Sequence, residues 1–212
     1  MQSLLMRYQK AVFSGFETIL EQIDLIIKAG RLIADTKTTG GRWMLYDRGY
    51  ALSLDTWTRG SNPCDNHIYR YSKKSFKHGD CLVLGSYSAD NPDDVSVVGE
   101  LREKSNTNLI TICPHKIPDN PRSDRLLYTF ADVAIDNGTD NHAGAFDVPS
   151  IIGGILPYAR DINLIILQAV AAEYMQTMIS YGKPPTQFYM VHFPYFREIQ
   201  ELMNQRKEKY GY

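Results

Sequence analysis

Residues 81–98 read CLVLGSYSADNPDDVSVV. Cys81 to Leu84 is an apolar run of strand length that ends on Gly85. Ser86 to Asn91 is a short polar loop, and Pro92 suits the first turn of a helix. Val95, Val98 and Leu101 carry that helix to about Lys104. An uninterrupted apolar strand is buried on both faces, which is the habit of parallel sheets. The neighbouring segments repeat the pattern. Arg42–Tyr46 after Gly40-Gly41, Asn108–Cys113, and Ala131–Asp136 before the turn signal Asn137-Gly138 all read as strands, and Phe188–Val191 reads as a last one.

The spacing of Phe16, Ile19, Leu20, Ile23, Ile26, Ile27 and Ile33 predicts one amphipathic helix over 16–33. A shorter helix precedes it, bounded by Ser14-Gly15. Tyr50–Trp57 could open a helix, Gly153–Ser180 reads as one long helix, and Arg197–Lys209 reads as a polar C-terminal helix. Strands alternating with helices predict an α/β fold whose mostly parallel sheet is covered on both faces. Ligands of such sheets lie beyond the carboxyl ends of the strands. That rule singles out Asp47–Ala51 and Gly85–Asn91.

The chain has 212 residues, 43% of them apolar and 22% charged, which bounds it to one globular domain over 1–212 or two small ones. Lys and Arg number 23 against 24 Asp and Glu. A net charge of −1 supplies no field for nucleic acid or anionic lipid. Cys64, Cys81 and Cys113 form no zinc-ligand pattern, so no metal or other cofactor is expected. Cys81 and Cys113 read as reduced core thiols. Ile151–Ala172 is the most apolar stretch, but Arg160, Asp161, Asn163 and Gln168 make it too polar to span a membrane. With no evident signal peptide, a soluble cytoplasmic protein is expected.

At the Gly85–Asn91 loop, the free N–H groups and partial positive charge of a helix start attract anions. Ser86 and Ser88 are two apart, so both hydroxyls could face one phosphate, with Asn91 as a further donor. The same residues serve equally well as local caps, and Asp90 brings an opposing charge. In the Asp47–Ala51 turn, Arg48 could clamp a phosphate or carboxylate, or merely pair with Asp47 in solvent. His67, His78, His115, His142 and His192 include no pair at ligand spacing. Only His115 and His142 follow strands at the expected site edge, which makes them the candidate general bases. Arg160 and Asp161 interrupt the apolar helix near its start, as a ligand contact or as a surface feature of the helix start.

Five stretches together resemble the sugar isomerase (SIS) domain family, near phosphoheptose isomerase. They are IIKAGRLIADTKTTGGRWMLYDRG (26–49), GDCLVLGSYSADNPDDV (79–95), NLITICPH (108–115), ADVAIDNGT (131–139) and ILPYARDINLIILQAVAAEYM (155–175). The resemblance implies a three-layer αβα sandwich on a five-stranded, flavodoxin-like sheet, usually a homodimer. It also implies phosphosugar binding at the strand ends, where Ser86 and Ser88 match a Ser-x-Ser loop. Asn91 falls where a hydroxyl or amide follows, and Gly49 matches the second glycine of the first loop. Three departures stand out. The family's Gly-x-Gly-x-Ser is Asp47-Arg48-Gly49-Tyr50-Ala51 here, Ala89 stands where glycine is usual, and Pro157–Arg160 replaces a hydroxyl-rich segment. Lost donors weaken ordinary phosphate binding, and Arg48 and Arg160 are the candidate replacements. The Glu–His catalytic pair of phosphoheptose isomerase transfers to no position. Three readings remain: a sugar-phosphate isomerase, a non-catalytic phosphosugar sensor, or a dimeric scaffold. The scaffold reading expects the Ser86–Asn91 loop to close on itself and Tyr50 or Tyr87 to fill the pocket.

Overall fold

Alternating side chains of the central strands divide the apolar residues between two faces. The computed structural model describes residues 3–47, 52, 66–69, 76–105, 107–117, 119–140, 146–148, 151–155, 158–185 and 195–210. Strands β1 (Trp43–Asp47), β2 (Asn66–Tyr69), β3 (Cys81–Gly85), β4 (Asn108–Cys113) and β5 (Val133–Asp136) form a parallel sheet in the order β2-β1-β3-β4-β5. Trp43, Leu45, Val83, Ile110, Ile112 and Ile135 face one layer. That layer holds helices α1 (Leu4–Glu21), α2 (Ile23–Thr38) and α4 (Ala159–Ser180). Met44, Leu82, Leu84 and Leu109 face α3 (Pro92–Lys104) and a 3-10 turn, Leu127–Phe130. A small antiparallel pair, β6 (Phe146–Val148) and β7 (Ile151–Ile155), and helix α5 (Phe196–Tyr210) complete the described elements.

Four of the sheet strands lie where the apolar runs place them. The fifth position belongs to β2, a polar segment that no hydrophobic pattern marks. Phe188–Val191 and the helix over Tyr50–Trp57 lie outside the described residues except for Leu52. The helical expectation over Gly153–Ser180 is corrected at its start. Gly153 and Gly154 lack helix propensity, Ile151, Ile152 and Ile155 are β-branched, and Pro157 disfavours helix in the residue before it. That stretch pairs as β7, and α4 begins only at Ala159. Although α4 is long and apolar enough to cross a membrane, half of its most apolar stretch is buried inside the fold.

The helix break moves as well. Ser14-Gly15 does not end a helix: a Cβ on Gly15 would lie 2.8 Å from Ile162 Cδ1, so this glycine is a close helix crossing within α1. The chain bends at Gln22 instead, at φ −115° and ψ 22°. Its side-chain amide replaces a strand neighbour, donating to Asp136 O (2.9 Å) and accepting from Asp136 N (2.8 Å). The α1–α2 joint is thereby hooked onto the carboxyl end of β5.

At the opposite edge, Asp80 is buried and accepts from Arg42 N (2.9 Å), Arg42 Nε (3.1 Å) and Lys77 N (2.8 Å). Burial pushes its carboxyl up, but the hydrogen bonds from Arg42 and Lys77 outweigh this and hold it below the usual range. The latch aligns the starts of β1 and β3. Asp80→Asn should cost about 3 kcal/mol in urea unfolding at pH 7, because it leaves Arg42 without its buried partner. The folded value lies below the unfolded one, so this stabilisation is present above roughly pH 4 and drains as pH falls further. The variant should therefore lose less stability than the parent protein on acidification.

Candidate functional site

The strand order reverses direction between β1 and β3, the switch point at which open α/β sheets bind ligands. The Ser86–Asn91 loop leaves β3 there. Ser86 N donates to Ile112 O on β4 (3.0 Å), and Leu127 N donates to Ala89 O (2.7 Å). Both contacts hold the loop against the sheet and the 3-10 turn. Asn91 caps α3 by accepting from Asp93 N at 3.1 Å, so its side-chain oxygen is used as a cap.

The serines are also engaged. Ser86 Oγ donates to Asp94 Oδ2 (2.8 Å) and lies 2.9 Å from Ser88 O, while the Ser88 hydroxyl donates to the Asp90 carboxylate. Ser86, Ser88, Asp90 and Asp94 are all buried, at 2% exposure or less. Asp90 accepts further from Arg122 N (2.9 Å) and from the Arg122 guanidinium (3.4 Å). Burial pushes the Asp90 carboxyl up, yet Ser88 and both Arg122 donors pull harder and hold it at about 2. A hydroxyl has one proton to give. Each serine gives it to an aspartate here, so a dianionic phosphate, which only accepts, must first displace a carboxylate. The loop closes on itself as the scaffold reading expects.

Leu52, from the segment after β1, is buried against Gly85. A Cβ on Gly85 would stand 2.4 Å from Leu52 Cγ. Among the described residues, Leu52 is the side chain packed on Gly85 at this edge. Tyr87 is half-buried, and Tyr50 lies outside the described residues.

A second cluster follows β4 and β5. Asp136 Oδ1 accepts from His115 N (3.0 Å) and Gly138 N (2.9 Å). The His115 ring packs against Tyr128, tilted by 43° with centroids 4.5 Å apart, and its buried Nε2 has no hydrogen-bond partner among the described residues. Burial lowers the imidazole pKa, opposed in part by Asp136, which favours the neutral ring. Asn137 Nδ2 donates to Asn163 Oδ1 on α4 (2.8 Å), and Thr139 N and Oγ1 donate to Asn137 Oδ1 (3.0 and 2.8 Å). Arg160 is half-buried in the first turn of α4. Arg48, Gly49 and His142 lie outside the described residues. Cys81 and Cys113 are buried free thiols, raised by desolvation. Among the described residues no three His, Cys, Asp or Glu side chains converge as metal ligands.

Sequence reading missed Asp94, Arg122, Asn163 and Gln22. Asp94 lies eight residues from the serine it holds and reads as an ordinary first-turn acid. Arg122 comes from a proline-rich loop whose path no pattern predicts.

No family model matches the sequence, and no curated protein does. Among solved structures, phosphoheptose isomerase from Francisella tularensis superposes with a TM-score of 0.59 at 12% identity, over 83% of this chain and 100% of that one. A crystal structure of a hypothetical protein aligns at 0.49 and 16% identity, over 82% and 90%. The second likeness is too loose to add to the first. The α/β fold, with its parallel sheet, is thus the one seen in phosphoheptose isomerase, and the likeness is one of fold.

Two substitutions test the packing of this edge. Ser86→Ala strips the Asp94 carboxylate of a buried donor and should destabilise by about 1–3 kcal/mol in urea unfolding, with no ligand present. Gly85→Ala should cost about 1–3 kcal/mol by overpacking against Leu52. Much of that cost should vanish in a Leu52→Ala background, a coupling that a double-mutant cycle reads directly.

Proposed function

We propose that this chain is a sugar-isomerase-type protein that binds a small phosphorylated sugar at the carboxyl edge of the sheet, between the turn after β1 and the Ser86–Asn91 loop, and that it acts by binding rather than turnover. The observation that carries the reading is the topological switch between β1 and β3, with a strand–loop–helix unit leaving it. The fold shared with phosphoheptose isomerase supports it. Binding without turnover is favoured by the committed hydroxyls: a loop whose serines already face Asp90 and Asp94 is a costly phosphate cradle. On this reading Arg48 and Arg160 supply the positive charge. Ligand entry moves the Ser86 and Ser88 protons from carboxylate to phosphate oxygen.

His115 favours a second reading, isomerisation. A neutral imidazole with an unused Nε2 could take the proton from C2 of an open-chain aldose phosphate and return it to C1, while the O2 proton passes to O1.

Thermal-shift titration against pentose, hexose and heptose phosphates, their unphosphorylated parents and inorganic phosphate tests the proposal. A sugar phosphate should raise Tm where its parent sugar does not. At a hundredfold excess over Kd the stabilisation is about 2.7 kcal/mol. Asp94→Asn should tighten binding by removing a buried negative charge, and Arg160→Met should weaken it. Silence from every sugar phosphate overturns the proposal. Conversion of aldose to ketose phosphate in a coupled assay, abolished by His115→Asn, would establish the second reading in place of the first.

A further inference from the structure

The Asp90 carboxylate sits in a cradle made by two separate loops. Its Oδ1 receives the Ser88 hydroxyl and, at 3.4 Å, Arg122 Nη2, while Oδ2 receives Arg122 N at 2.9 Å. A hydroxyl, a backbone N–H and a guanidinium that converge on one anionic group form a donor set that suits a phosphate as well as a carboxylate. Asp90 is buried, whereas the Arg122 side chain is 48% exposed. The cradle therefore meets solvent on its arginine side.

Most of the guanidinium is idle. Arg122 donates from Nη2, and its Nε and Nη1 make no hydrogen bond among the described residues. A guanidinium offers five N–H donors in a planar fork, and one long end-on contact to Asp90 uses little of that capacity. The wall that carries Arg122 is also held without Asp90. At its start His115 N donates to Asp136 Oδ1 (3.0 Å), and Lys116 Nζ pairs with Asp140 Oδ1 (2.5 Å). Toward its end Arg125 lies over the Phe130 ring at 4.1 Å, and Leu127 N donates to Ala89 O (2.7 Å). These contacts keep the donors in place when the carboxylate leaves. Protonation does not release it: burial pushes the Asp90 carboxyl up, but Ser88 and Arg122 hold it at about 2. Near neutral pH the competitor for this place is another anion.

We infer that Asp90 is a built-in anion that blocks its own site: its carboxylate occupies a phosphate subsite, and an incoming phosphate group takes over the Ser88 hydroxyl, Arg122 N and the Arg122 guanidinium as Asp90 swings out. Arg122 is then a phosphate-binding residue, and Asp90 sets the affinity by competing for it. The inference rests on the sugar-phosphate reading for the identity of the guest, and on the donor geometry for the subsite.

Anion rescue tests it. Asp90→Ala removes the built-in carboxylate and leaves its three donors unpaired. Its Tm should fall. Sodium formate or inorganic phosphate should restore about 3–6 °C at a tenfold excess over Kd, where sodium chloride of equal ionic strength does not. With Arg122→Gln added, both anions should give only the general salt effect seen with the parent protein. Asp90→Asn keeps a hydrogen-bonding side chain in the cradle and decides the matter should the alanine variant not fold. It should bind inorganic phosphate and sugar phosphates about tenfold more tightly than the parent, and Arg122→Gln should cancel the gain. A parent that ignores every sugar phosphate, beside an Asp90→Asn variant that gains inorganic phosphate, supports the subsite and removes its sugar ligand. A parent that binds a sugar phosphate and gains nothing from Asp90→Asn overturns the inference and leaves the earlier reading standing. A folded Asp90→Ala that neither anion rescues overturns it too, as does a gain that survives Arg122→Gln.

Discussion

Two buried aspartates at the carboxyl edge organise everything that bears on function. Asp90 in the loop and Asp94 in the first turn of α3 face serines that resemble anion anchors, and they accept the hydroxyl hydrogen bonds an anion would need. Burying a carboxylate is expensive unless donors surround it. Here the donors are Ser86, Ser88 and both the backbone and guanidinium of Arg122, and their sum keeps Asp90 ionised down to about pH 2. The Asp90 carboxylate is satisfied without a ligand. Any phosphate that enters competes with charge already in place, which is why the proposed ligand draws on arginines rather than on the serines alone.

The rest of the fold brings that loop to its position by two tethers at opposite edges. Asp80 with Arg42 sets the starting ends of β1 and β3, so their parallel register delivers Asp47 and Gly85 to the same height. Gln22 hooks the α1–α2 joint onto Asp136, and Asn163 joins α4 to Asn137 just beyond β5. Helices on one face thus report directly to the carboxyl edge.

Local signals carried the sheet. Cys81–Leu84, Asn108–Cys113 and Val133–Asp136 are short apolar runs bounded by turn residues, the pattern of buried parallel strands. Where the reading failed, tertiary contact had overruled local preference. Gly15 looked like a boundary but is a crossing against Ile162. Gly153-Gly154 looked absorbable into a helix, but Pro157 and the β-branched isoleucines turned that stretch into a strand. β2 is an edge strand paired on one side to β1, a place that does not demand the continuous apolar run of a central parallel strand. The Ser86–Asn91 segment was legible as a strand-to-helix turn, and its hydrogen-bond partners were not. A Ser-x-Ser loop announces donors, whereas the carboxylates that take them, Asp90 and Asp94, read as ordinary turn and first-turn acids, and Arg122, which donates to Asp90, comes from 32 residues further along the chain.

Amide chemical-shift mapping with a sugar phosphate addresses the central claim most directly. The account predicts perturbations concentrated at the amides of Gly85 to Asn91, Arg122 and Leu127, because a guest at the switch point must disturb the donors that hold Asp90 and Asp94. Perturbations confined to the groove of α2 beside Asp132, with the Gly85–Asn91 amides unmoved, would contradict it.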